Sequence, residues 1–358
     1  MGKKVRILTL DGGGIRGIIP AIVLNYVEQK LIEISGNPNA RIADFFDMIA
    51  GTSTGGILGC FYLAPNPDKG IDRPASKYTA SKALEFYSER GHEIFNVSRR
   101  NGWIGMRQLL NATKFVPDNL EKIFREEFGN LKMSELLKPC IITTYNLKDQ
   151  SSFFFSSRES KDKKRDFFVR DVVRSTSAAP TYFPPAFIKN LLTGEEMINI
   201  DGGVFANNPS MCAYAECRKS VFPQIAYPGA ADMLILSMGT GSVRLELPDI
   251  RKSGKWGVIS WAKSAPDIMM DGSIDTVDYQ LKNLFHTLQE TNQFNYKRVD
   301  VPLDKRNYSA DMADASPENI NALKIAGEET LKIALQDSET ECGLDKFIEL
   351  LIANKPEI

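Results

Sequence analysis

The chain has 358 residues, 43% hydrophobic and 25% charged, an ordinary balance for a globular protein long enough to bury a substantial core. A formal net charge of −1 gives no electrostatic reason to bind a nucleic-acid polymer. No stretch approaches the roughly 18 apolar residues of a membrane-spanning helix, and the scattered Cys60, Cys140, Cys212, Cys217 and Cys342 lack CxxC spacing and read as reduced thiols.

The N-terminal MGKKVRILTLDGGG has too short an apolar stretch for a signal peptide and runs into a glycine turn, so a cytoplasmic location is expected. Within it, VRILTL is short and β-branched and predicts a buried strand. After the glycines, IIPAIVLNYVEQKLIEIS repeats apolar residues at helical spacing. DFFDMIAG predicts a second strand, and STGGILGCFYL a helix leaving it. Farther on, CIITTYNL, SSFFFSS, MINID, DMLILSMG and YKRVDVPL read as strands. VRDVVRSTSAA, PSMCAYAECRKS, SIDTVDYQLKNLFHTLQETN, SPENINALKIAGEETLKIAL and LDKFIELLIA read as helices. Stretches 65–80 and 241–256, rich in Pro, Gly and charge, read as loops. Strands and helices alternating from end to end predict a layered α/β fold on a mostly parallel sheet.

Gly51-Thr-Ser53-Thr-Gly55 matches G-x-S-x-G between a predicted strand and a predicted helix. That pattern suits a sharp turn presenting a serine at its tip, with glycines where side chains would collide with strand and helix. A serine hydroxyl needs a base to become a nucleophile. Only two histidines, His92 and His286, are available, and His286 lies within a long amphipathic helix. The order Ser53…Asp201…His286 keeps a triad open, but the elbow comes after only two predicted strands, early for an α/β-hydrolase. The other candidate base is Asp201, followed by Gly202 and Gly203 at the end of MINI. If its strand is parallel to the others, Asp201 shares with Ser53 the sheet edge where strand C-termini gather. A partly buried carboxylate bonded to the serine hydroxyl can serve as base directly.

Asp11-Gly-Gly-Gly-Ile-Arg-Gly17 contains Gly12-x-Gly14-x-x-Gly17, a dinucleotide-binding pattern that is weak by itself. The acidic residue such a site needs about 20 positions on would fall inside the long helix, near Glu28 and Glu33. The better reading is an oxyanion hole built from the N–H groups of Gly12, Gly13 and Gly14, with Arg16 fixing the loop or adding positive charge.

These motifs resemble those of the patatins, a family of acyl hydrolases named after the potato storage protein. DGGGIRGIIPA is similar to the family's glycine loop and RIADFFDMIAGTSTGG to its elbow. STSAAPTYFPP (175–185), DGG (201–203), LSMGTG (236–241) and DMADASPENI (311–320) also have counterparts there, so the resemblance covers nearly the whole chain. It implies a single domain over 1–358, a three-layer α/β/α fold, Ser53 as nucleophile, Asp201 as base, an oxyanion hole at Gly12–Gly14, and neither metal nor cofactor. It also implies release of fatty acids from phospholipids, galactolipids or lysolipids. Plant patatins often have DGA where this chain has DGG, and both forms occur in the family. Plant patatins carry a signal peptide, so the chain looks more like an intracellular, bacterial branch. Some members of that branch are anti-phage effectors switched on by cyclic dinucleotides. Such an activator, and a homo-oligomer, are therefore carried as expectations, beside the alternative of a soluble non-lipid esterase or acyltransferase using the same dyad.

For peripheral membrane contact the sequence offers SRRNGWIGMRQLL (98–110), with Trp103-Ile104 among arginines, against the plainer reading of a tryptophan packed on the core. KDKKRD (161–166) reads as a solvated turn or as a contact for phosphate groups. Along SSFFFSS, side-chain alternation requires at least one of Phe153–Phe155 to face the core.

Overall fold

The computed structural model describes residues 3–69, 75–95, 113–162, 165–243, 258–303, 307–309, 311–336 and 342–355. Among them, eight strands build one sheet: β1 (Val5–Leu10), β2 (Met48–Gly51), β3 (Cys140–Asn146), β4 (Ser151–Ser156), β5 (Ala186–Lys189), β6 (Glu196–Asp201), β7 (Met233–Met238) and β8 (Tyr296–Val299). The order is β8-β7-β1-β2-β3-β6-β5, with β4 also on β3. The first five strands in that order run parallel, and β4, β5 and β6 pair antiparallel.

Alternation along the strands separates two helical layers. Leu8, Leu10, Ile49, Leu234 and Leu236 point into the larger core. There they meet α1 (Ile18–Ser35), α2 (Thr54–Leu63), α3 (Ala80–Ile94), α4 (Asp118–Phe128), α5 (Val169–Thr176), α8 (Pro317–Ala334) and α9 (Leu344–Ala353). Val5, Ile7, Met48, Ala50 and Ile235 point the other way, onto α6 (Ser210–Arg218) and α7 (Val258–His286). The predicted α/β class with a mostly parallel central sheet flanked by helices is the fold observed.

Several boundaries differ from the sequence expectation. Only the second half of DFFDMIAG is a strand, because Asp44 accepts the Arg41 N–H and closes a helical turn over Ile42–Phe45. YKRVDVPL breaks at Asp300, whose Oδ1 accepts the N–H groups of Gly241 and Val301. The helices α3 and α4 are absent from the sequence reading, although Leu120, Ile123, Phe124 and Phe128 show the spacing of a buried helical face. The alternation expected of Phe153–Phe155 holds: Phe155 lies in the larger core and Phe154 packs against the smaller one. All five cysteines are free thiols. No helix among the described residues is long and apolar enough to cross a membrane.

One feature of the sheet positions the site. Ile141 pairs with Ser156 of β4 on one flank and Ala50 of β2 on the other; Thr144 pairs with Phe153 of β4 and Asp201 of β6. Strands β2 and β6 therefore share one flank of β3 and meet there end to end, C-terminus to C-terminus. Gly51 faces Ile142 and Asp201 faces Thr144. The expectation that Asp201 would reach the elbow along a parallel strand is thus corrected, since β6 runs toward β2 from the opposite direction.

Candidate active site

Ser53 sits at the tip of the turn between β2 and α2 with φ 53° and ψ −121°. A positive φ is strained for a residue with a side chain, and this one is overdetermined by its surroundings. A methyl group on Gly55 would lie 2.1 Å from the Leu10 carbonyl oxygen, and one on Gly51 would lie 2.4 Å from that of Gly55. Both glycines of the pattern are therefore required by close backbone approach. From outside the turn, Thr176 at the end of α5 accepts the Ser53 N–H through Oγ1 at 2.8 Å. Thr54 donates its hydroxyl to Tyr87 at 2.6 Å, and Tyr87 donates back to the Thr54 carbonyl at 3.0 Å.

Asp201 is 3% exposed and accepts the Gly203 N–H at 2.7 Å, with the Ser53 hydroxyl close enough to its carboxylate to lower the pKa. Burial raises its carboxyl from 3.8 to about 7, against the opposing pull of those two donors. Thr143 fills the junction of β2 and β6. Its hydroxyl lies 2.7 Å from that of Thr52, and a methyl on Gly202 would approach it to 2.1 Å. That contact explains the first glycine of DGG.

The glycine loop packs against the same point. Gly12 donates its N–H to the Asn207 carbonyl at 3.1 Å, and its own carbonyl accepts the Thr240 hydroxyl at 2.8 Å. Gly14 adopts φ 59°, and a methyl there would meet the Met312 carbonyl oxygen at 2.2 Å. That same carbonyl accepts the N–H of Ile15 at 2.9 Å. The N–H of Gly12 is thus already used, which corrects its expected part in an oxyanion hole. The N–H groups of Gly13 and Gly14 are not engaged among the described residues. Arg16 folds its Nε back onto the Gly13 carbonyl at 3.3 Å, tying the loop to itself.

Behind the loop, Asp11 and Asp300 both accept from the Arg298 guanidinium at 2.6 Å. Arg298 also donates to Ser237 at 2.9 Å. Burial pushes the Asp11 carboxyl upward, while the guanidinium beside it pulls the other way. Sequence reasoning quoted the motifs holding Asp11, Thr176, Thr240 and Met312 but gave those residues no role, and it did not foresee the part of Arg298 and Asp300.

Ser53 and Gly14 open onto an apolar cavity of about 40 Å³ lined also by Ile57, Tyr87, Leu120, Phe183 and Met312. His92 is exposed on α3, and His286 is exposed at the end of α7, where it lines a separate cavity. Neither histidine lines the Ser53 cavity. Among the described residues, no cluster of His, Cys, Asp and Glu could hold a metal ion. Segment 98–110 lies outside the described residues, as do Lys163 and Lys164 of the basic run. Asp166, which ends that run, is buried and accepts the Ser134 hydroxyl at 2.6 Å.

Comparison with known proteins agrees with this architecture. The family model "Patatin-like phospholipase" matches residues 8–214. Patatin-like protein 2 of Arabidopsis thaliana is 35% identical over 367 residues, covering 97% of this chain and 88% of that protein. Patatin-like protein 2 of Oryza sativa subsp. indica is 33% identical over 366 residues, covering 95% and 87%. The similarity extends to a Solanum tuberosum protein named probable inactive patatin-3-Kuras 1, 32% identical with coverage of 99% and 94%. On the family match and these identities, the chain belongs to the patatin-like phospholipase family.

Proposed function

We propose that the chain is a lipid acyl hydrolase that cleaves carboxylic esters of membrane glycerolipids with a Ser53–Asp201 dyad. The supporting observation is a buried carboxylate beside the Ser53 hydroxyl at the meeting of β2 and β6, with its pKa raised by burial to about 7. An ordinary carboxylate is too weak a base at neutral pH; one near 7 is ionised for a useful fraction of the time and strong enough to take the proton.

In this reading Asp201 takes the hydroxyl proton as Ser53 Oγ attacks the ester carbonyl carbon. Charge develops on the carbonyl oxygen, where the N–H groups of Gly13 and Gly14 stabilise it. Collapse expels the alcohol, which leaves with the proton from Asp201. Water then attacks the acyl-serine, Asp201 again takes a proton, and that proton returns to Ser53 Oγ as the fatty acid departs. The apolar cavity beside Ser53 receives the start of the acyl chain. Strands β7 and β8 extend the same sheet that carries this site.

The test is acyl release from mixed phosphatidylcholine and phosphatidylglycerol vesicles, read by mass spectrometry of the free fatty acids. Wild type should release them and bind a fluorophosphonate at Ser53; Ser53→Ala should do neither. Release by Ser53→Ala at the wild-type rate would refute the assignment.

A further inference from the structure

Thr240 is 3% exposed, and its Oγ1 lies 2.8 Å from the Gly12 carbonyl oxygen. A carbonyl can only accept, so the threonine hydroxyl donates. The Asn207 Nδ2 is farther from the same oxygen, at 3.5 Å. Thr240 also packs directly on the glycine loop. A methyl group on Gly13 would lie 2.2 Å from Thr240 Oγ1 and 2.6 Å from its Cβ, so a side chain at position 13 is excluded. Thr240 is itself pinned on both sides. Gly239 donates its N–H to the Val299 carbonyl at 2.8 Å, and Gly241 donates its own to Asp300 Oδ1 at 2.9 Å.

The Gly12 carbonyl and the Gly13 N–H belong to one planar trans peptide, so they point in opposite directions. Fixing the carbonyl on Thr240 therefore fixes the direction of the N–H, which is not engaged among the described residues. Neither Gly12 nor Gly13 has a side chain to hinder rotation of the peptide between them. Without the hydroxyl that peptide is free to turn over, which presents a carbonyl oxygen where an N–H stood. Such a group repels an oxyanion instead of stabilising it. The loop touches the nucleophile, since a methyl on Gly12 would lie 3.2 Å from Ser53 Cβ. From this geometry we infer that Thr240 is the positioning residue of the oxyanion hole. Its hydroxyl holds the Gly12–Gly13 peptide in the orientation that offers the Gly13 N–H to the developing charge. The inference rests on the Ser53–Asp201 reading and adds the residue that orients one of its two oxyanion donors.

Thr240→Ser and Thr240→Ala both lack the methyl group and differ from each other only in the hydroxyl, so their comparison isolates the hydrogen bond. With p-nitrophenyl butyrate, Thr240→Ser should keep kcat within a few-fold of wild type. Thr240→Ala should lower kcat by about ten-fold or more, toward the roughly 10²–10³ of one lost oxyanion donor, with KM within a few-fold. Thr240→Val, which keeps the shape of threonine and loses the hydroxyl, should fall in the same way, and thermal melting confirms that the variants fold. An aliphatic trifluoromethyl ketone forms a tetrahedral oxyanion on Ser53, so its inhibition constant should weaken in Thr240→Ala by the factor lost from kcat. The matching secondary alcohol forms no oxyanion and should bind wild type and variants alike. Equal kcat in folded Thr240→Ala and Thr240→Ser would overturn the inference. A fall in kcat without a matching loss of ketone affinity would overturn it too, as would an equal loss of alcohol affinity, because either places the damage in packing. Each of these results leaves the dyad standing as long as a fluorophosphonate labels Ser53 in wild type. Failure of wild type to be labelled there would instead refute the dyad on which the inference rests.

Discussion

Arg298 and Asp11 form an ion pair at 2.6 Å, with side chains 7% and 0% exposed, although 287 positions separate them in the chain. Asp300 completes the triad, accepting from the same Nη2 of Arg298 at the same distance. The pair anchors the residue that immediately precedes the glycine loop, so loop geometry and sheet stability are coupled through it. Arg298→Met leaves two carboxylates in a buried site without their cation. That variant should lose about 3–5 kcal/mol of stability, the usual cost of breaking a buried pair, measured by urea unfolding. Arg298→Lys should be only a partial rescue, because a single ammonium cannot present the guanidinium fork to two carboxylates and Ser237 together.

The pH dependence follows from Asp201. As the proposed base, Asp201 works only when ionised, so kcat/KM should rise with pH and reach half its plateau near 7. Asp201→Asn keeps the shape but cannot accept a proton, and should lower the rate by on the order of 10² or more. Stability moves the opposite way. Since the folded value near 7 exceeds the unfolded 3.8, the folded chain holds this proton more tightly, and ionisation in the buried site opposes folding. The penalty is absent below 3.8, grows as pH rises, and is complete above about 7. Asp201→Asn should therefore melt higher than wild type at pH 8, by roughly 4 kcal/mol at most, with the advantage fading by pH 4. Calorimetry at both pH values checks the sign.

How much of this was legible in the chain depends on the range of the interactions. The serine elbow, β1, α1 and the strand ending in Asp201 follow from local rules: apolar periodicity, glycines at turns and β-branched runs. Strand direction does not. Nothing in MINID reveals that β6 lies antiparallel on β3 and meets β2 end to end, since that is decided by pairing with residues some 50 positions away. The supports of the elbow and loop were hidden for the same reason. Thr176, Thr240 and Met312 lie inside stretches that resemble patatin motifs, but each acts through a single hydrogen bond to a segment far off in sequence, and no motif says which residue it holds. Gly12 shows the limit of a motif: the loop was recognised, but which N–H groups remain available depends on the Asn207 carbonyl.

A triad using His286 is not favoured by the geometry, because that residue is exposed and lines a cavity other than that of Ser53. His286→Ala and His92→Ala should each keep most of the wild-type kcat with p-nitrophenyl butyrate. A loss in His286→Ala as deep as that of Ser53→Ala would restore the histidine to the mechanism.

The cavity beside Ser53 bears on acyl-chain choice. At about 40 Å³ it is far smaller than the several hundred Å³ of a typical ligand pocket, so an acyl chain must displace side chains to enter. Ile57 and Leu120 lie in its wall, and both are buried. Ile57→Ala opens room for more of the chain. Each additional methylene buried is worth about 0.8 kcal/mol, close to four-fold in affinity. The ratio of kcat/KM for p-nitrophenyl decanoate to that for the butyrate should therefore rise several-fold in Ile57→Ala. The variant should also lose about 2–5 kcal/mol of stability to the space created, so the assay must run well below its melting temperature. Leu120→Phe adds volume to the same wall and should move the ratio the other way. If both variants leave chain-length preference unchanged while remaining folded, the acyl chain leaves Ser53 by another path and this wall is only core.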